Sequence, residues 1–175
     1  MEFSDSRMDT VCFTGHRPEK LTQGEERVRS ALRKGIDRAL RWKYTTFITG
    51  MAQGVDLWAA DEILALRKDR PEIKLICAIP FKGYADKWDP EWKEKYETVR
   101  DAADEVYFVC PRNVRGAPVV RDKWMVDHSS LVIAVYNGGK GGTKTTIDYA
   151  VSKKTRVLNV LEVSDPVFCS VQSLH

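Results

Sequence analysis

The residues with the most chemistry in this 175-residue chain lie at five turns, each placed where an apolar run ends. The first reads Gly15-His16-Arg17-Pro18, an imidazole beside a guanidinium that can fork onto a phosphate or carboxylate. The second lies within Phe47-Ile-Thr-Gly-Met-Ala-Gln-Gly-Val-Asp56, where Gly50 and Gly54 bracket Gln53 and a helical spacing begins at Val55. The first amides of a helix lack intrahelical partners and carry the positive end of its dipole, so such a turn suits an anion. Asp56 either complements that dipole or contacts a ligand hydroxyl. The third glycine of the dinucleotide fingerprint and the Lys-Ser/Thr of a P-loop are both missing, so a ligand loop and a structural turn are equally open here.

The last turn is richer. Asn137-Gly-Gly-Lys-Gly-Gly-Thr143 leaves an apolar run and enters a helix, bringing free amides, hydroxyls and the Lys140 ammonium to one place. That pattern favours ligand binding over a flexible surface loop. Between these turns, Pro80-Phe81 opens a loop carrying Tyr84 and Trp88, aromatics able to stack on a base. The turn after Cys110 carries Arg112 and Arg115, and a helix from about Val119 bears Arg121, Trp124 and Asp127.

The elements that must position these turns follow from periodicity. Strands are expected at 10–14, 45–49, 74–79, 105–109, 131–136 and 156–161, the third as a continuous apolar run of the kind buried on both faces. A capping box, Thr22-Gln-Gly-Glu25, opens a helix with Val28, Leu32, Ile36 and Leu40 on one face. The helix after Gly54 runs to about Lys68, and Asp89-Pro90 supplies the N-cap and first residue of the next, with Trp92, Tyr96 and Val99 inward. The alternation predicts an α/β fold, a Rossmann-like doubly wound, largely parallel sheet of about six strands with helices on both faces. Ligands of such sheets sit beyond the carboxyl ends of the strands, where all five turns fall.

Composition narrows the classes. One domain over 10–162 is expected, with a loose leader at 1–9 and a tail at 163–175. No apolar run reaches the roughly 18 residues of a membrane span and no signal-peptide core is visible, so no membrane partner and a cytoplasmic location are expected. Cys12, Cys77, Cys110 and Cys169 form no CxxC pair and read as reduced thiols; no metal site is expected. A net charge of +3 does not announce a nucleic-acid binder, although basic residues are dense from Arg17 to Lys43. Trp58 and Trp88 are candidates for a self-interface, which leaves a homo-oligomer open.

Thr14-Gly-His-Arg-Pro18, Thr49-Gly-Met-Ala-Gln-Gly-Val-Asp56, Pro80-Phe81, Arg121 to Asp127 and Gly141-Gly-Thr143 together resemble the YpsA-like branch of the SLOG superfamily, over roughly residues 10–160. That superfamily includes the Smf/DprA proteins and the lonely-guy phosphoribohydrolases. The Gly50 to Asp56 segment is similar to the DprA glycine motif, and the Gly138 to Thr143 loop to the lonely-guy phosphate loop. The resemblance implies a nucleotide, or a nucleotide-derived ligand such as a nucleotide sugar, held through Gly15, Arg17, Gly50, Gln53, Gly54, Asp56, Arg121, Asp127, Gly141, Gly142 and Thr143. One departure bears on mechanism. The lonely-guy enzymes place a glutamate within one turn of the glycine-Thr motif, and this chain has Thr145 and Thr146 there. Threonine neither stabilises an oxocarbenium ion nor activates water, so binding or sensing is the expected function. The alternatives are an N-glycosidic or phosphoester hydrolase using His16, Asp56 or Asp127, and DprA-like binding of single-stranded nucleic acid by the basic segment and Trp42.

Overall fold

A computed structural model describes residues 7–161, so the first six residues, the C-terminal tail and Cys169 lie outside the described part. Six parallel strands are present: β1 (Thr10–Gly15), β2 (Thr46–Thr49), β3 (Lys74–Ile79), β4 (Glu105–Phe108), β5 (Leu131–Val135) and β6 (Arg156–Asn159). They form one sheet in the order β4-β3-β2-β1-β5-β6. Five helices join them: α1 (Glu25–Arg41), α2 (Val55–Arg67), α3 (Pro90–Ala102), α4 (Ala117–Asp127) and α5 (Gly142–Ser152).

Alternation along the strands divides the core into two. The paired row Leu75, Phe47, Val11 and Leu131 belongs to a large cluster with Val28, Leu32 and Ile36 of α1, Leu57 and Ile63 of α2, and Tyr96 and Val99 of α3. The next row, Ile76, Ile48, Cys12 and Val132, faces the other way and joins Met125 and Val126 of α4 and Ala150 of α5 in a smaller one. Steps outward from β1 to β4 thus lay α1 to α3 on one face, and the return through β5 to β6 lays α4 and α5 on the other, as right-handed crossovers require. The strands bury both faces, which is why β3 and β5 read as unbroken apolar runs. Cys12, Cys77 and Cys110 are buried free thiols, and burial pushes Cys12 and Cys77 up to about 12.

Some local expectations are corrected. No capping box forms, because α1 starts directly after Gly24, whose φ of 79° no other residue adopts easily and which has no side chain to cap with. Asp89 does stand at the N-cap of α3 with Pro90 following, but its carboxylate makes no capping bond. Trp58 is not a surface residue: it is 4% exposed and packs against Trp92, with ring centroids 6.2 Å apart. That removes it as a candidate for a self-interface.

Candidate ligand site at the sheet switch point

β1 is flanked by β2 on one side and β5 on the other, so successive connections diverge there and leave a crevice beyond the strand ends. Into it open the turns after β1, β2 and β5. The first glycine turn, between β2 and α2, is filled by the protein itself. Asp56, 6% exposed, turns back on its own loop and accepts a hydrogen bond from the Ala52 amide at 3.2 Å, so a carboxylate of the protein already stands in this turn. Arg121, 4% exposed, reaches across from α4, and its Nη1 donates to the Gly50 carbonyl while its Nε donates to Asp122 at 2.6 Å. A Cβ on Gly50 would lie 2.7 Å from the Asp56 carboxylate and 2.9 Å from Arg121 Nη1. Gly54 is packed by Pro18, and a Cβ on Gly15 would lie 2.5 Å from the Val55 side chain. These three glycines permit close approach of protein to protein.

The charges in this wall are mutually dependent. Burial raises the Asp56 carboxyl from 3.8 to about 6; Arg121 opposes the rise and Asp122 adds to it. Burial pulls the Arg121 guanidinium down, but Asp122 and Asp56 outweigh it, so the group is held above its ordinary value. Arg121 also lies 5.9 Å from the ring centroid of Tyr84, which ties the loop after β3 to the same wall. Its Nε and Nη1 are turned toward protein partners, which makes it a brace for the cleft wall.

The second glycine turn is open. Around Gly138, Gly139 and Gly142 an added Cβ would meet nothing within 4 Å, and all three are exposed. Gly141 is the N-cap of α5 with no side-chain cap, so the N-cap residue leaves the first amides of the helix uncovered. The Lys20 ammonium lies 3.7 Å from where a Cβ on Gly141 would sit. The loop is held from outside: the Asn159 amide side chain donates to the Tyr136 carbonyl at 2.8 Å and accepts from its amide at 3.1 Å. Tyr136 Oη donates to the Gly139 carbonyl at 2.8 Å, and Asn137 Nδ2 to the Lys20 carbonyl at 3.1 Å.

Between the two turns lies a cleft of about 250 Å³, lined by Gly15, His16, Arg17, Lys20, Asp56, Tyr84, Arg121, Asp122, Gly142 and Thr143 among others. Arg17 is exposed along it. His16 is 5% exposed, stands 5.3 Å from the Tyr136 ring, and has a buried Nε2 without a hydrogen-bond partner among the described residues. Burial and the neighbouring Lys20 lower its pKa, against a hydrogen bond toward the Gly138 backbone that raises it.

Asp127 is not brought to the cleft. α4 leaves the rim at Ala117, and its 11 residues carry Asp127 about 15 Å along the helix, where it accepts a 2.9 Å hydrogen bond from Tyr149 Oη. Asp148 is also turned away, exposed and paired with Lys144 at 2.7 Å. Gln53 is half-buried beside Ala52, which does line the cleft. Sequence reasoning missed Lys20, Asp122, Tyr136 and Asn159. The only linear signal for them was adjacency, Asp122 to Arg121 and Tyr136 to the glycine loop. No group of three or more His, Cys, Asp or Glu is placed to hold a metal among the described residues, and no described helix is long and apolar enough to cross a membrane.

Comparison with known proteins agrees with this architecture. The chain is 36% identical over 121 residues to the SPbeta prophage-derived protein YoqJ of Bacillus subtilis (strain 168), covering 62% of this chain and 70% of that one. It is 27% identical over 164 residues to a UPF0398 protein of Bacillus thuringiensis (strain Al Hakam), covering 87% of each. Among solved structures, DNA processing protein A (DprA) of Streptococcus pneumoniae superposes with a TM-score of 0.60 at 18% identity, over 85% of this chain; the match spans 48% of that protein. DprA of Helicobacter pylori, described with a single-stranded DNA binding mode, gives a TM-score of 0.59 at 17% identity over 90% of this chain and 67% of that one. At such identities the likeness is one of fold. The family model described as the YspA SLOG family matches residues 11–163, and the chain therefore belongs to the YpsA branch of the SLOG proteins.

Proposed function

We propose that the switch-point cleft binds a nucleotide or nucleotide-derived ligand, with its phosphate on the amides of Gly141, Gly142 and Thr143. One observation carries this reading: of the two glycine turns that face the cleft, the one before α5 is unfilled and has a lysine beside it. A helix N-terminus with free amides supplies partial positive charge, and Lys20 and Arg17 add full charges along the same cleft. Arg17, Lys20 and Arg121 together outnumber the Asp56 and Asp122 carboxylates in the cleft lining, so the charge left for a ligand is positive.

A thermal-shift panel of AMP, ADP, ATP, cyclic nucleotides, NAD, ADP-ribose and a short single-stranded oligonucleotide tests it. A ligand at about a hundred times its Kd adds roughly 2.7 kcal/mol, which is about 5 to 10 °C for a domain of this size. A shift with a small nucleotide is the expected result; no shift with any small nucleotide overturns the reading. Chromatography of the shifted mixture then separates binder from hydrolase, for which His16 and Asp56 are the groups in the cleft.

A second reading, single-stranded nucleic acid on another surface, is favoured by the likeness to the DprA proteins and by a groove of about 500 Å³ between α1 and β6. Arg27, Lys34, Arg38 and Arg41 line it, and Arg38 and Arg156 lie over the Trp42 ring. This reading predicts oligonucleotide binding that weakens steeply with salt. A salt-insensitive or absent interaction counts against it.

A further inference from the structure

Asn159 and Tyr136 hold the upstream half of the open glycine turn, and the downstream half has an anchor of another kind. Gly141 and Gly142 carry no side chains, and glycine loses more conformational freedom on ordering than any other residue. Amides that meet a ligand there must be held from elsewhere if binding is not to be weakened by that loss. Thr146, one turn further along α5 and 3% exposed, supplies the hold. Its hydroxyl stands 3.0 Å from the Gly142 carbonyl and 3.3 Å from Oδ2 of Asp122 on α4, and shares its single proton between these two acceptors. Thr145 also donates back to the Gly141 carbonyl, at 3.1 Å, but among the described residues that hydroxyl reaches no other element.

The other oxygen of Asp122 is bound to the cleft wall. Oδ1 accepts from Arg121 Nε at 2.6 Å, and Arg121 Nη1 donates to the Gly50 carbonyl. The side chains of Arg121, Asp122 and Thr146 thus form a hydrogen-bonded bridge from the Gly50 carbonyl of the filled turn to the Gly142 carbonyl of the open one. Arg121 and Thr146 are almost wholly buried and the Asp122 side chain is 20% exposed, so water competes little for these bonds. The join requires a carboxylate: one oxygen takes the guanidinium and the other the hydroxyl, whereas an amide would turn an N–H toward one of the two donors.

We propose that Asp122 and Thr146 are positioning residues for the ligand turn. Through them the first turn of α5 is set against the buried Arg121, so that the Gly142 and Thr143 amides meet a phosphate in an orientation fixed before it arrives. The inference rests on the nucleotide reading above and deepens it: affinity at the open turn depends on a hydroxyl that the ligand does not touch.

Nuclear magnetic resonance titration of the full chain tests this, followed through the amide signals of Gly142 and Thr143 with AMP or with the panel nucleotide of largest thermal shift. Thr146→Val removes the hydroxyl at nearly constant shape and is expected to weaken the nucleotide by about three- to tenfold, the scale of one lost hydrogen bond. Thr146→Ser keeps the hydroxyl and is expected to bind as wild type does, which a loss of packing alone would not produce. Asp122→Asn is expected to weaken binding at least as much as Thr146→Val, and the double variant to be no weaker than Asp122→Asn, because the bridge is already open. Should Asp122→Asn not fold, the two Thr146 variants decide. Wild-type affinity in Thr146→Val, equal weakening in Thr146→Ser and Thr146→Val, or losses that add in the double variant overturn the inference and leave the nucleotide reading intact. No binding to wild type by any nucleotide of the panel overturns both.

Discussion

The two glycine turns of the cleft look alike in sequence and do opposite things. Both leave a buried parallel strand, both enter a helix, and both leave backbone amides free at its start. At the turn before α2, small residues let the protein close on itself, with Asp56 bound to the Ala52 amide of the loop and Arg121 bracing Gly50. At the turn before α5, small residues keep the protein out. A glycine therefore does not announce a ligand; what distinguishes a ligand turn is whether any side chain of the fold already stands in the space.

The contrast predicts that substitutions in the first turn act on stability and those in the second act on binding. The largest effect is expected for Arg121→Ala, which leaves two acidic neighbours and a buried carbonyl without their cation. Breaking a buried pair from one side costs about 3 to 5 kcal/mol, or about 6 to 20 °C of Tm here. A melting temperature within 2 °C or so of wild type would show that the brace is dispensable.

Asp56→Asn comes next and has a pH signature. A carboxyl that titrates near 6 when folded and at 3.8 when unfolded binds its proton more readily in the native state. Its ionisation therefore costs stability as pH rises from about 4 to above 6, by about 2 to 3 kcal/mol at most. The asparagine has no such cost, so urea denaturation should show the variant gaining on wild type across that window. A constant difference between the two proteins from pH 4 to 7 would mean that Asp56 ionises as an ordinary carboxylate.

Gly50→Ala and Gly142→Ala test the comparison most directly. The first forces a methyl against Asp56 and Arg121, with an expected loss of about 1 to 3 kcal/mol. The second adds a methyl in open space at the first residue of α5, where stability should change by about 1 kcal/mol or less while nucleotide affinity falls. Equal melting temperatures for both variants, or unchanged affinity in Gly142→Ala, would erase the distinction between the turns.

Much of the fold was legible in the sequence, and less of the site. β3 occupies the span its apolar run marks, and Val28, Leu32, Ile36 and Leu40 are buried as their spacing requires. Local periodicity reports which face of an element is covered, so those elements could be placed without knowing their neighbours. The filling of the first turn was not legible, because Gly50 and Arg121 are 71 residues apart and meet only after α4 has packed. Lys20 was hidden for the same reason, being one basic residue among many until the chain brings it to Gly141. Asp127 is a different case. Its place at the end of a helix that leaves the rim already implied distance from the strand ends, a consequence of helix rise that motif matching overlooks.

The pairing of β1 with β5 also bears on how the protein is made. Residues from Thr10 to Phe108 suffice for four strands and three helices, yet one edge of β1 stays open until Leu131–Val135 leaves the ribosome. The cleft straddles that late seam, and Asn159, later still, secures its loop. A chain that stops at Phe108 carries the filled turn before α2 and lacks the open one before α5, so the two sides of the cleft meet only once β5 has paired with β1.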